Sequence, residues 1–195
     1  GIIARTFEYK DQTTIVTLYK ALVRPHLEFA NQVWAPYLRK HVNSIENVQR
    51  RMTRLIPGMK ELSYPERLRK LRLPTLAYRS IRGDIIEVFK ILRGYYSQDV
   101  TEGLFDLVTE SNTRGNGMKI FKKRPRLEVR KNSFFMRVVD LWNGLPSQVI
   151  DAPSIASFEH RLDKTWSNKS ILYDHTADRN MIDASATTVS VTNKL

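Results

Sequence analysis

Residues 74–94 read PTLAYRSIRGDIIEVFKILRG and carry the longest helical pattern in the chain. Apolar residues recur there at helical spacing, at Ile81, Ile85, Val88, Phe89 and Leu92. A run of this length with a period near 3.6 predicts an amphipathic helix that buries one face. We expect the helix to extend from about Thr75 to Arg93, and Gly94 suits the residue that ends it.

Helical patterns also fill the chain before this stretch. They are expected at residues 13–23, 25–34, 43–56 and 63–71, with Ala35-Pro36 and Pro57-Gly58 interrupting them. Asn43, followed by Glu46 three residues later, resembles a capping box at the start of the third of these helices. The first half of the chain is therefore predicted to be a helical bundle.

The pattern changes in the second half of the chain. Residues 126–130, Arg-Leu-Glu-Val-Arg, alternate with period two, and together with residues 119–122 they favour a small β-hairpin. Residues 134–142 and 153–166 each favour a helix. After Ser167 the sequence turns to Ser, Thr, Ala and Asn, which is typical of a frayed tail.

These patterns predict a mainly α fold, in which a helical bundle is followed by a smaller α lobe with a short β-hairpin. We expect a bundle over residues 1–96, a linker over 97–112, a second lobe with the hairpin and two helices over 113–167, and a disordered tail over 168–195.

The charge of the chain is strongly positive and unevenly placed. Its 195 residues include 32 Lys and Arg against 20 Asp and Glu, which gives a net charge of +12. Residues 39–72 contain ten bases and three acids, and residues 114–137 contain nine bases and one acid. Clusters of one sign attract polyanions and speed their encounter, so this distribution favours contact with nucleic acid.

The residue content disfavours most kinds of active site. The chain has no Cys, which excludes disulfides, thiolate nucleophiles and cysteine-ligated metals. Its four histidines are far apart in the sequence, and no phosphate-binding GxxxxGK[ST] loop or GxSxG elbow occurs. Asp84 and Glu87 flank the apolar stripe beside Arg82 and Lys90, a spacing typical of surface ion pairs. We expect no catalytic residue, metal or cofactor in this chain.

Membrane and targeting signals are not recognisable in the sequence. No run of 18 apolar residues occurs, so no membrane partner is expected. Residues 1–7 lack the charged and apolar regions of a signal peptide, so we expect an intracellular protein, nuclear or cytoplasmic and not secreted. Ile2, Ile3 and Phe7 look like a helix entered part-way, which predicts a fragment of a longer chain.

Seven short motifs follow one another in a distinctive order. They are LYKALVRPHLEF at 18–29, QVWAPY at 32–37, ENVQRRMT at 46–53, LRKLRLPTL at 68–76, RSIRGD at 79–84, WNGLP at 142–146 and PSIASF at 153–158. In this order they resemble the C-terminal part of the reverse transcriptase polyprotein of non-LTR retrotransposons, of the jockey-like kind. The resemblance covers about residues 1–166.

The resemblance implies a thumb and post-thumb segment of an RNA-directed DNA polymerase. In that family an endonuclease, fingers and palm precede this segment, and the palm holds catalytic aspartates in a Tyr-x-Asp-Asp turn. The present chain has no Asp-Asp pair, so the fragment is not expected to be an enzyme by itself. The implied partners are the RNA/DNA duplex of primer and template, and the missing palm and endonuclease domains.

Two sets of basic residues are the candidate contacts to the phosphate backbone. The helical pattern of residues 43–56 places apolar side chains on one side and arginines on the other, and the thumb resemblance implies that the basic side faces the duplex. The candidates are Arg50, Arg51 and Arg54 in this helix, and Lys122, Lys123, Arg124, Arg126, Arg130 and Lys131 in the second basic stretch.

An alternative class of function stays open. Trp34, Tyr37, Tyr95 and Tyr96 lie near predicted helix ends, where aromatic residues often complete interfaces. They favour a helical interaction module that docks on the palm or on a partner without nucleic-acid contact, although core packing explains them equally well. A degenerate remnant without selected activity is the third interpretation.

Overall fold

A computed structural model describes residue 5, residue 7 and residues 10–108 and 117–177 of the chain. It confirms the mainly α fold. The helices are α1 (Gln12–Leu18), a π-helical turn (Tyr19–Val23), α2 (Arg24–Glu28), α3 (Asn31–Trp34), α4 (Arg39–Thr53), α5 (Tyr64–Leu71), α6 (Leu76–Leu92), α7 (Gln98–Thr101), α8 (Glu128–Lys131), α9 (Phe134–Arg137), α10 (Val139–Asn143), α11 (Ser147–Ile150), α12 (Ile155–Trp166) and a 3₁₀ turn (Ser170–Leu172).

The long helix α6 has the bounds and the ends that its sequence predicts. The hydroxyl of Thr75 accepts a hydrogen bond from the backbone N–H of Tyr78 at 3.0 Å, which satisfies one of the free donors of the first turn. Gly94 follows the last turn with φ +70°, a left-handed conformation that glycine adopts without steric cost. Thr75 also donates to the backbone oxygen of Ile171 at 2.7 Å, which ties the start of α6 to the end of the described chain.

The buried apolar residues form two clusters, and α6 belongs to the second. The first cluster joins α1, α4 and α5 through residues such as Ile15, Met52 and Leu68. The second packs α6 against α9 to α12, and the rings of Phe89 and Phe158 stack at 4.2 Å within it. Leu73 belongs to the first cluster and Ala77 to the second, so the clusters divide at the start of α6. This division does not coincide with residues 97–112, the expected linker.

Glu46 does not cap the helix that its spacing suggested. Helix α4 begins at Arg39 rather than Asn43, so Glu46 lies one turn or more inside it. Its buried carboxylate accepts hydrogen bonds from the Tyr64 hydroxyl at 2.5 Å and from the backbone N–H of Leu76 at 3.0 Å. Burial raises the pKa of Glu46, against these hydrogen bonds. The carboxylate thus joins α4 and α5 to the first turn of α6.

The predicted β-hairpin is wrong in its second strand. Residues Glu128–Lys131 form the helical turn α8, and among the described residues the bridge at Ile120 pairs with Leu107 instead. Leu127 and Val129, which would form the buried face of a strand, are 71% and 77% exposed. Period two specifies a strand only where a core covers one face, and the described residues leave these two side chains largely exposed.

The predicted tail begins too early. Residues 168–177 pack on the rest of the protein, because Ile171 is buried in the second cluster and the backbone N–H of Thr75 donates to Leu172 O at 2.9 Å. Residues 178–195 lie outside the described residues, as do residues 109–112 of the expected linker and residues 113–116 of the expected second lobe. In the part of the chain that the structure describes, no helix is both long enough and apolar enough to cross a membrane.

A buried polar network joins α3, α6 and α9. Arg137 donates from Nε to Asp84 Oδ2 at 2.8 Å and from Nη2 to Asp84 Oδ1 at 3.0 Å. The same guanidinium donates to the backbone oxygen of Asn31 at 3.1 Å, and the Asn31 amide donates to Asp84 at 3.0 Å. Asp84 was expected in a surface ion pair, and that expectation is wrong because α9 covers its side of α6.

Breaking the Asp84–Arg137 pair is expected to destabilise the fold strongly. Arg137→Met removes the guanidinium that pairs with the buried Asp84 carboxylate, which costs roughly 3–5 kcal/mol. Lys122→Met is the matched control, because the ion pair of Lys122 with Asp140 is exposed to solvent. Losing this exposed pair costs less than about 1 kcal/mol. Urea unfolding of both variants measures the difference. Equal losses would contradict the structural role of the buried pair.

Arg72 provides a second test of the fold. It ends α5 with φ +51°, a left-handed conformation that costs a side-chain-bearing residue roughly 1 kcal/mol. Arg72→Gly is expected to stabilise the protein by about 0.5–1 kcal/mol, while Lys70→Gly, inside α5, destabilises it by about as much. Both variants remove one positive charge, so thermal unfolding isolates the backbone effect. A loss of stability in Arg72→Gly would show that this conformation is not strained.

Candidate nucleic-acid interface

The second basic stretch, residues 122–131, is largely exposed and lies between two buried residues, Ile120 and Phe134. At one end Ile120 is buried, and its backbone N–H and C=O bind the side chain of Asn143 at 2.9 and 2.8 Å. At the other end Phe134 is buried at the start of α9. The backbone between them has no strand or helix until α8. All six predicted basic side chains of this stretch are exposed: Lys122, Lys123, Arg124, Arg126, Arg130 and Lys131.

These six side chains surround two adjoining hollows. The lysine hollow, with a volume of about 290 Å³, is lined by Lys122, Lys123 and Lys131 together with Tyr37 and Arg137. The arginine hollow, of about 470 Å³, is lined by Lys123, Arg124, Arg126 and Arg130. Lys123, Pro125 and Met136 belong to both. The structure therefore brings the six predicted residues of this stretch into one continuous surface, which we call the basic surface.

The lysines of the basic surface have acidic partners and the arginines do not. Lys122 pairs with Asp140 at 2.5 Å, Lys123 with Asp106 at 2.7 Å and Lys131 with Glu128 at 3.4 Å. These pairs are exposed, so replacing the carboxylate with a phosphate costs little.

Among the residues that the structure describes, no ion-pair partner lies against Arg124, Arg126 or Arg130. Their guanidinium groups are free to bind phosphate oxygens, which they can do through two hydrogen bonds at once.

The arginines of α4 are arranged differently from the expectation. Arg51 and Arg54 are exposed as predicted, but Arg50 turns inward over the ring of Tyr64, with its guanidinium carbon 4.9 Å from the ring centre. Its Nη2 donates to His175 Nε2 at 3.4 Å, and its Nε is buried without a partner among the described residues. Arg50 is therefore half-buried, because α5 and residue 175 cover its side of the helix.

A further arginine near this end of α4 was not predicted. Arg67 is only 2% exposed, and it donates from Nε to the Thr53 hydroxyl at 3.0 Å and from Nη1 to Leu62 O at 2.6 Å. Burial and the charges of Arg54 and Arg50 lower its pKa. No local pattern predicts this burial, because it depends on contacts with Thr53 and Leu62 that form only in the folded chain.

A third hollow adjoins the lysine hollow. It has a volume of about 570 Å³ and lies between the start of α4, at His41 and Ile45, and residues 129–133, with Trp34 and Tyr37 on its wall. We call it the aromatic hollow. Arg51 lies ten residues beyond His41, about 15 Å along α4. None of these three hollows is lined by Arg50, Arg51 or Arg54, so these hollows do not join the two predicted sets.

Comparison with protein-family models, with curated proteins and with solved structures finds no match to this chain. Within the described ranges, no group of three or more His, Asp or Glu side chains is placed to hold a metal ion.

The stability of the α4 end is expected to fall on mild acidification. Burial lowers the pKa of His175, the charge of Arg50 lowers it further, and Asp174 opposes them. The unfolded chain therefore binds a proton on His175 more readily than the folded protein, so stability is lost as pH falls below the ordinary value of about 6.5.

Urea unfolding at pH 7.5 and 5.5 measures this loss. Between pH 7.5 and pH 5.5, the His175→Gln variant is expected to lose less free energy of unfolding than the unmodified chain, because glutamine does not bind a proton in this range. Glu46, whose raised pKa acts in the opposite direction, is the same in both proteins and cancels. An identical pH dependence in the two would contradict the role of His175.

Proposed function

We propose that this chain is a nucleic-acid-binding module, which contacts the phosphate backbone of RNA or DNA without sequence specificity. The single observation that carries the proposal is the basic surface, where six exposed basic side chains surround two adjoining hollows. Three of them have no acidic partner within the described residues. Such a surface neutralises phosphates and releases their condensed counterions, which supplies most of the free energy of non-specific binding.

Backbone contacts of this kind position a nucleic acid but carry no sequence information. Arg51 and Arg54 extend the positive potential along α4 and provide a secondary surface. Arg50 is the least suited of the predicted residues, because its guanidinium is already held against Tyr64 and His175.

The ordered motifs support a parent protein for this module. We propose that the chain is the thumb and post-thumb part of a non-LTR retrotransposon reverse transcriptase and that bond formation belongs to the palm of that protein. In this setting the basic surface holds the primer–template duplex after it leaves the palm. In this proposal the module holds the nucleic acid and does not catalyse its synthesis.

The second candidate function, docking on the palm or on another protein, is favoured by one specific observation. Val33 is 86% exposed beside the exposed rings of Phe29 and Trp34, so the turn around α3 presents a small apolar patch. Apolar patches of this kind are typical of protein contacts.

Charge reversal on the arginine hollow tests the proposed function. The triple variant Arg124→Glu, Arg126→Glu and Arg130→Glu is expected to weaken binding of a fluorescent 20-mer duplex at least tenfold at 0.1 M salt. The slope of log K against log salt for the unmodified chain is expected near −4 to −5, if about five phosphates are contacted, and should become shallower by about 3 in the variant. Fluorescence anisotropy measures both quantities.

The matched control reverses three exposed lysines elsewhere, with Lys20→Glu, Lys60→Glu and Lys164→Glu. This variant has the same net charge as the first, so any common loss reports the general field of the protein rather than contact. Equal weakening in the two variants would contradict the assignment of the basic surface. Absence of binding by the unmodified chain at roughly 100 μM would contradict the proposed function itself.

A further inference from the structure

The aromatic hollow and the basic surface adjoin one another on the protein surface. The aromatic hollow shares Ala35, Tyr37, Asn132 and Arg137 with the lysine hollow, which in turn shares Lys123, Pro125 and Met136 with the arginine hollow. A ligand that follows this groove therefore passes first along aromatic rings and then along lysines and arginines. We call the whole path the aromatic–basic groove.

Two of the rings on this path are exposed, and a hydrogen bond orients one of them. Trp34 is 41% exposed and Tyr37 is 49% exposed, whereas the other two tryptophans, Trp142 and Trp166, are buried in the second apolar cluster. The indole N–H of Trp34 donates to the backbone oxygen of Phe29, which fixes the orientation of the ring. Core packing thus explains Trp142 and Trp166, whereas the described residues leave 41% of Trp34 exposed.

Exposed rings beside positive charges distinguish unpaired nucleotides from a duplex. In a duplex the faces of the bases are stacked on one another, so a protein ring cannot reach them. In a single strand each base offers a free π-face, and stacking on an aromatic side chain contributes about 1–3 kcal/mol per base. A groove that served only a duplex backbone would need the lysines and arginines but gain nothing from Trp34 and Tyr37.

We infer that the aromatic–basic groove binds unpaired nucleotides, with bases stacked on Trp34 and Tyr37 and phosphates on Lys122, Lys131 and the arginine hollow. This inference rests on the proposed function: the basic side chains can hold the backbone of a duplex, and the adjoining rings add a preference for strands with unpaired bases. The two carboxylates in the lysine hollow do not oppose it, because Asp84 is paired with Arg137 and Asp140 with Lys122.

Charge complementarity favours a nucleic acid over a protein as the occupant. The rings lie on the same path as six basic side chains, and phosphates repeat along a strand in step with the bases. A protein segment would match only if it carried aromatic or apolar groups at one end and several carboxylates at the other.

Intrinsic fluorescence tests the inference directly, because Trp34 is the exposed tryptophan. The chain is titrated with U12, with dT12 and with a 12-base-pair DNA duplex, and anisotropy of labelled oligonucleotides gives the affinities. U12 and dT12 are expected to quench Trp34 and to bind at least fivefold more tightly than the duplex at equal salt. The duplex is expected to bind with little quenching.

Three variants locate the effect. Trp34→Phe should keep the affinity for U12 and lose the quenching, since phenylalanine still stacks. Trp34→Leu and Tyr37→Leu should each weaken U12 about tenfold and leave duplex binding within twofold. Tyr95→Leu is the matched control, because Tyr95 is an exposed ring outside the groove, and it should change neither ligand. Far-ultraviolet circular dichroism confirms that each variant is folded.

Each other result overturns the inference in a recognisable way. Equal binding of single strand and duplex without quenching would remove the stacking role and leave the proposed function intact. No binding of either ligand would remove both proposals. A change in Trp34 emission with protein concentration alone, unaffected by nucleic acid, would assign the aromatic hollow to a protein contact.

Discussion

The Asp84–Arg137 pair is the interaction on which the shape of the candidate interface depends. Both oxygens of the Asp84 carboxylate accept from Arg137, which also donates to the backbone oxygen of Asn31. One guanidinium thereby holds α6, the turn before Trp34 and the α9 segment together. Because a buried charge without its partner is very unfavourable, the three elements keep one relative position. That position sets the walls of both the lysine hollow and the aromatic hollow.

The charged groups on the surface above this buried pair contribute little to stability, and their partners can be replaced. The ion pairs of Lys122, Lys123 and Lys131 are exposed and contribute little to folding, so a phosphate can take the place of each carboxylate. The arginines at the far end need no exchange at all. The proposed binding of polyanions relies on this combination of a buried ion pair below and exchangeable charges at the surface. The exposed rings of Trp34 and Tyr37 add a contact that electrostatics alone does not provide.

The sequence predicted the elements better than their surroundings. The prediction of helix α6 was correct because its apolar stripe, its N-cap Thr75 and Gly94 after its last turn all indicate the same helix. Local signals of this kind do not depend on the rest of the chain. The hairpin failed because period two at Leu127 and Val129 says nothing about whether a core covers them. Arg50 turned inward because α5 lies on it, a contact between segments far apart in sequence. The six basic residues were identified by composition, but their common surface depends on the Ile120–Asn143 anchor, which no local pattern reveals.

The most direct test of the interface is photo-crosslinking of the unmodified chain to an oligonucleotide that carries 5-iodouracil, followed by peptide mapping. Iodouracil reacts with aromatic residues that it contacts, so the map shows where the bases lie on the protein. We expect crosslinks in residues 34–37, together with protection of residues 122–131 from lysine and arginine modification. Crosslinks confined to other parts of the chain, with residues 122–131 modified at the same rate with and without nucleic acid, would contradict the claim that the aromatic–basic groove binds nucleic acid.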